Sequence, residues 1–274
     1  MDRPRVTIGI FGGSGFYSLL KGARSYAIHT PYGSPSDRIS IGELNGVTVA
    51  FLPRHGRYHQ YPPHRINYRA NLWAMKELGV ERIISPGACG SLQKDIPPGT
   101  FVLCDQFVDR TSGRPSTFYD GPAAVHISCA EPYCPELREL CASTAEELGI
   151  SCRNGGTAVI IEGPRFSTRA ESRWYHSMGW HVINMTQYPE VVLARELGMC
   201  YLNISLVTDW DVWVADEVGF KTVTAEEVGR VFRENNEKLL RLLEELVPRL
   251  PESRGCSCGE VLREATISPL VIEE

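Results

Sequence analysis

The chain has 274 residues, 43% of them hydrophobic, and a net charge of −5. That is enough apolar material for the core of a large α/β domain, and the acidic balance argues against nucleic acid or an anionic membrane as partner, leaving a small molecule. The N-terminus MDRPRVTIGIFGGSGF lacks the apolar run of a signal peptide, and no stretch approaches the roughly 18 apolar residues of a membrane span, so a cytoplasmic protein is expected.

In chain order, VTIGIF (6 to 11) reads as a strand stopping at the small-residue turn Gly12 to Gly15. RISIGEL and VTVAFLP (38 to 53) flank Asn45-Gly46, a strong hairpin signal. INYRANLWAMKELGV predicts a helix closed by Gly79, and ERIIS a strand running into a small-residue loop, Gly87 to Ser91. A helix with proline in its first turn follows at Pro135 to Leu148. TAVIIEG (157 to 163), HVINM (181 to 185) and CYLNISLVTD (200 to 209) read as strands, alternating with helices over Thr168 to Met178 and Pro189 to Leu197. Thr224 and Glu227 form a capping box for a last amphipathic helix, with Val228, Val231, Phe232, Leu239, Leu242, Leu243 and Leu246 on one face.

No repeat and no linker divides the chain before about residue 250. The expectation is one α/β domain, residues 1–250, with a central mixed sheet flanked by helices, and a tail, 251–274, carrying Cys256-Ser257-Cys258. In such folds ligands sit at the carboxyl ends of strands. Seven of the nine cysteines (Cys89, Cys104, Cys129, Cys134, Cys141, Cys152, Cys200) are scattered without framework spacing and read as reduced core residues. There is no C-x-x-C and no helical H-x-x-x-H among the seven histidines, so no metal site is expected. Nor does GIFGGSGF match G-x-G-x-x-G, which argues against a dinucleotide cofactor.

The strand ends carry the chemistry. Gly12 to Gly15 can converge backbone N–H groups on an anion, with Ser14 adding a hydroxyl, but a GGSG alone is a weak signal and a plain tight turn is the better reading of it. LPRHGRYH places Arg54, His55, Arg57 and His59 directly after a strand, and arginine suits bidentate phosphate recognition. In SLVTDWDVW, Asp209 and Asp211 stand two residues apart at the end of an apolar run. From those residues alone, capping a turn or helix is as good a reading as catalysis.

Taken together and in order, GGSGFY, PRHGRYH, ACGSL, DQFVDRTSGRP, TFYDG, EPYCP, IEGPRFSTRAES, NMTQYPEVVLAREL and TDWD resemble the 5′-methylthioadenosine phosphorylases of the trimeric nucleoside phosphorylase family, over residues 7 to about 247. The resemblance implies phosphorolysis of an N-glycosidic bond, with inorganic phosphate as co-substrate and no cofactor. It implies phosphate contacts from Ser14, Arg54, His55, Ala88 and Thr186, with Met185 against the ribose and Phe166 and Ser167 walling the base. His59 and His126 would line the 5′ end, His126 in the neighbouring subunit's site of a homotrimer, a hexamer being left open. Asp209 would protonate purine N7, for which burial must raise its pKa, and Asp211 would orient the 6-amino edge. Gly87, Gln187-Tyr188, Trp210 and Trp213 depart from the usual pattern, the Gln-Tyr pair at the phosphate's edge. The C-x-C tail resembles elements that form strained disulfides in thermostable members, and a reduced pair remains equally open. Phosphorolysis of another 5′-substituted adenosine or of 5′-methylthioinosine, a hydrolytic nucleosidase and a silent binding protein are the alternatives.

Overall fold

The computed structural model of the protein describes residues 4–12, 20–122, 124–219, 225–263 and 265–267, with backbone alone at 225–230, 232, 266 and 267. Ser14, Thr224 and the side chains of Glu227, Val228 and Phe232 therefore lie outside the described residues. Among the described residues, eleven strands share one sheet.

Its centre is β5 (Arg82–Ser91), which pairs with β12 (Cys200–Trp210) in parallel along its whole length. On its other edge, β1 (Ile8–Gly12) runs parallel to it only as far as Ile84, and β11 (Val182–Asn184) pairs antiparallel with it only at Gly90 and Ser91. A notch is left along residues 85–89. The sequence reading took Gly87 to Ser91 for a loop; these residues continue the strand, because β12 supplies a partner as far as Ser91. Small side chains there reflect close neighbours rather than a turn.

The rest of the sheet builds outward. β4 (Val47–Pro53) pairs with β1 and forms the expected hairpin with β3 (Ile39–Leu44) through Asn45 and Gly46, both at positive φ. β2 (Lys21–Tyr26) forms one edge, and β10 (Thr157–Ile161) and β7 (Gln106–Arg110) extend the other. β6 (Phe101–Leu103) and β9 (Cys152–Asn154) lie beyond β12.

Helices cover both faces. α1 (Tyr68–Glu77), capped by Asn67, and α4 (Gln187–Glu196) pack on one. α2 (Pro135–Glu147) and α6 (Ala225–Leu246) pack on the other. Side chains on β12 alternate accordingly. Leu202, Ile204 and Leu206 meet Leu239, Leu242, Leu243 and Leu246 of α6 in an apolar layer. Tyr201, Asn203 and Ser205 point the opposite way, into a buried polar layer against α4.

α3 (Arg169–Ser177) starts at the capping box of Thr168 and Glu171. Beyond β12 a short helix, α5 (Val212–Glu217), buries Val214 and Ala215. β8 (Val125–His126) and β13 (Thr266–Ile267) make a separate two-stranded sheet. No helix among the described residues is long and apolar enough to cross a membrane.

Candidate active site

Asp209 sits at the end of β12, opposite Gly90 of β5, just past a bulge in which Thr208 is the extra residue. A bulge re-aims the side chains that follow it. Thr208 Oγ1 lies 2.7 Å from Asp209 Oδ1, while Oδ2 comes within 3.5 Å of where a Cβ on Gly90 would stand. Loss of water around the carboxyl raises its pKa to about 6, the Thr208 hydrogen bond opposes the shift and Asp211 adds to it. Asp211 is buried and held by Ser167, whose Oγ lies 2.6 and 2.7 Å from the two carboxylate oxygens. Its pKa is also raised, by desolvation against the hydrogen bonds of Ser167 and Ser172.

Around the notch stand Arg54, at the end of β4, and Thr186, just after β11. The Thr186 Oγ1 lies 4.0 Å from a Cβ placed on Gly87. Asn184 fixes this corner, its Oδ1 accepting from the Thr186 and Gln187 N–H groups at 2.7 and 3.0 Å and its Nδ2 donating to Ala88 O at 2.9 Å. Ala88 is exposed on the strand.

Arg54, expected from the sequence to meet phosphate, uses most of its donors inside the protein. It is 3% exposed and donates from Nε and Nη2 to Glu190, at 2.6 and 2.9 Å, from Nη2 to Ser85 Oγ and from Nη1 to Pro86 O. Of the five N–H groups of a guanidinium, that leaves one on Nη1. Burial alone depresses its pKa, but Glu190 outweighs burial and the net shift is upward. Tyr201 and Ser85 hydroxyls also donate to Glu190, at 2.9 and 2.5 Å. Glu190 itself is 0% exposed. Sequence reasoning passed over Glu190, which lies in an ordinary helical stretch; its only signal was an acidic residue on a helix whose neighbours are apolar.

His55 donates from Nδ1 to Tyr61 O, 2.8 Å away, and stacks on His59 with 4.3 Å between ring centres. Desolvation lowers the His55 pKa to about 4, so the ring is neutral at pH 7. His59 is exposed, at φ 55. Arg57 is paired with Asp37, its backbone N–H donating to Oδ2 at 2.9 Å and its Nε lying 3.8 Å from the same oxygen.

Met185 packs its Sδ against Gly163, whose added Cβ would lie 2.6 Å from the sulfur. Phe166 is 81% exposed in the single chain. His126 is exposed on the β8–β13 sheet, and among the described contacts nothing joins it to Asp209, Arg54 or Thr186.

Gln187 is likewise not at the anion corner by its side chain. It is buried beneath α4, accepting from Tyr133 Oη at 2.6 Å and donating to Ser205 Oγ at 3.0 Å, because the helix start turns it inward. Tyr188 is half-buried against Phe107. Trp213 lies under the Arg173 guanidinium.

Two of the cysteines read as scattered core residues, Cys134 and Cys200, meet the tail pair Cys256 and Cys258 in space: the four sulfurs all lie within 4.8 Å of one another. Linear spacing hides the cluster because its members come from a helix start, a strand start and the tail.

Comparison with known proteins agrees with this architecture. An S-methyl-5′-thioadenosine phosphorylase of Thermofilum pendens is 56% identical over 96% of this chain and 99% of its own length. The corresponding protein of Pyrococcus furiosus is 54% identical over 93% and 97%. Among solved structures, a methylthioadenosine phosphorylase from an antarctic soil metagenomic library superposes with a TM-score of 0.90 at 41% identity, covering 98% of this chain and 94% of that one. The Schistosoma mansoni methylthioadenosine phosphorylase in complex with adenine gives 0.87 at 38%, covering 94% and 96%. Residues 7–248 match the phosphorylase superfamily, and with this sheet, this notch and these relatives the chain belongs to that family.

Proposed function

We propose that the protein cleaves 5′-methylthioadenosine with inorganic phosphate, giving adenine and 5-methylthioribose 1-phosphate. The observation that carries this is a carboxyl held protonatable near neutrality, Asp209 on β12, beside a β5 notch bordered by Ala88, by Thr186 after β11 and by the remaining Arg54 N–H after β4. The transition state resembles an oxocarbenium ion between a departing base and an incoming anion, so the enzyme must neutralise one and position the other. Thr208 donates to Oδ1 of Asp209, which keeps a second lone pair for the 6-amino group, and Oδ2 delivers a proton to purine N7 as the glycosidic bond breaks. Asp211, locked by Ser167, orients the 6-amino group. Met185 and Phe166 enclose the sugar and base, and His55 stays neutral beside the phosphate while His59 borders the 5′ group. Ser14 completes the phosphate contacts.

Catalysis on this reading needs phosphate as co-substrate and no cofactor. The 5′ pocket is completed by His126 of an adjacent subunit in a cytoplasmic homotrimer, for which the exposed Phe166, Trp174 and Met178 offer apolar interface. Residues 1–250 form the catalytic domain and 251–274 its appended tail. An active monomer in sedimentation velocity would overturn the shared site.

Product analysis with a panel of 5′-modified adenosines, with and without phosphate, tests the reaction. Adenine and the sugar 1-phosphate should form only with phosphate, fastest from the 5′-methylthio compound, and activity should be lost in Arg54→Ala. Undiminished base release without phosphate would identify a hydrolase instead.

A further inference from the structure

Arg114, in the segment that follows β7, takes no part in the chemistry above, yet its side chain is 3% exposed and every one of its N–H groups finds an acceptor. Nη1 donates to Met185 O at 2.9 Å and to Tyr188 O at 2.7 Å, with the Tyr68 hydroxyl 3.4 Å away. Nη2 donates to Glu162 O at 2.7 Å and Ile161 O at 3.5 Å, and Nε to Glu162 Oε2 at 3.2 Å.

These acceptors are ones the fold leaves over. β10 and β11 run side by side in parallel, paired as far as Ile160 and Asn184. Glu162 and Met185 are the first residues beyond the two strands, so their carbonyls have left the ladder at the sheet edge where ligand sites open. Tyr188 is extended, at φ −107 and ψ 135, within the start of α4, which aims its carbonyl away from the helix axis. A guanidinium can close this gap because its donors lie in one plane and reach several acceptors at once; an ammonium has three donors and no such fork. Its charge faces the Glu162 carboxylate, which also accepts from the Ser112 N–H at 2.8 Å and ties the Arg114 segment to the same anchor.

The carbonyls frame one place. Glu162 precedes Gly163, against which Met185 Sδ packs, so Arg114 holds both sides of that contact. Thr186, the next residue, is fixed separately through its N–H by Asn184 at 2.7 Å. Among the described residues no second side chain hydrogen-bonds to Met185.

We propose that Arg114 is a positioning residue for the nucleoside: it fixes Met185 against the sugar and the start of segment 163–167 beside the base, without touching substrate. This rests on the reading that Met185 meets the ribose. Arg114 acts through backbone carbonyls, so the shape of its donor fork matters as well as its charge.

The test measures kcat, the KM for 5′-methylthioadenosine and the KM for phosphate in the full-length protein, Arg114→Ala and Arg114→Lys, with folding checked by circular dichroism. Misplacing a positioned group by about an ångström costs up to about a hundredfold, so in Arg114→Ala kcat/KM for the nucleoside should fall by about that factor while the phosphate KM rises less than about threefold. Arg114→Lys, which keeps the charge and loses the fork, should remain impaired, and free guanidinium far below denaturing concentration should recover about tenfold in Arg114→Ala where ammonium does not. A structure of the unmutated protein with 5′-methylthioadenosine and no phosphate needs no variant to fold: it should show Met185 against the sugar with its carbonyl still on Arg114. Arg114 released from Met185 O in that complex, equal rises in the two KM values, or full activity in Arg114→Lys would each overturn the proposal. Phosphate-independent base release by the unmutated protein would overturn the reaction reading instead, and the nucleoside KM of the two variants would still decide the role of Arg114.

Discussion

Arg54 and Glu190 are joined by two parallel hydrogen bonds, Nε to Oε2 at 2.6 Å and Nη2 to Oε1 at 2.9 Å, wholly inside the protein and at the rim of the anion corner. Removing either partner strands a buried charge, at a cost of roughly 3–5 kcal/mol, whereas removing both does not. In a double-mutant cycle, Arg54→Ala/Glu190→Ala should therefore be less destabilised than the sum of the single changes. Urea unfolding of the four proteins checks it; additive losses would mean the pair is not coupled.

Asp209 should set the alkaline limb of activity. With its folded-state pKa near 6, about a tenth of the carboxyl is protonated at pH 7, and kcat/KM for the nucleoside at saturating phosphate should fall about tenfold per pH unit above pH 6. The same shift has a stability sign. A carboxyl whose pKa is raised on folding stabilises the protein while protonated, and that contribution is lost as pH rises from the ordinary carboxylate range through about 6. Asp209→Asn should abolish both dependences, and an unchanged limb in the variant would assign it to another group.

Base choice follows from the same carboxyl. A 6-aminopurine offers an N6–H donor and needs a proton at N7, which one protonated carboxyl serves with its two oxygens; a 6-oxopurine offers an acceptor instead. The protein should favour 5′-methylthioadenosine over 5′-methylthioinosine by about two orders of magnitude in kcat/KM, and Asp209→Asn should narrow or reverse that ratio. Equal rates on the two substrates would show that Asp209 does not read the 6-position.

Gly163 should tolerate no side chain. It sits at φ 63, and an alanine methyl would stand 2.6 Å from Met185 Sδ. Gly163→Ala should cost about 1–3 kcal/mol and, by displacing Met185 from the sugar, raise the nucleoside KM more than the phosphate KM. Equal changes in both would place Met185 away from the ribose.

Most of the scaffold was legible because its signals are local. The Asn45-Gly46 hairpin, the Thr168 capping box and the proline-led α2 each declare themselves within four residues. The missing parts depend on partners distant in the chain. β5 continues through Gly87 to Ser91 only because β12 lies alongside it, which no local pattern announces. Glu190 reads as one more helical acid until Arg54, 136 residues earlier, is found against it. The four-cysteine cluster is invisible to spacing rules for the same reason. The raised pKa expected of Asp209 is found, with loss of water around the carboxyl as its first cause.

The two faces of β12 hold different obligations. Leu202, Ile204 and Leu206 need only volume and apolarity, which other aliphatic residues supply, whereas Tyr201, Asn203 and Ser205 each donate to a particular acceptor beneath α4. Saturation mutagenesis of residues 201–206 should thus show permissiveness alternating with a period of two: aliphatic exchanges accepted at even positions, and almost every replacement selected against at odd ones.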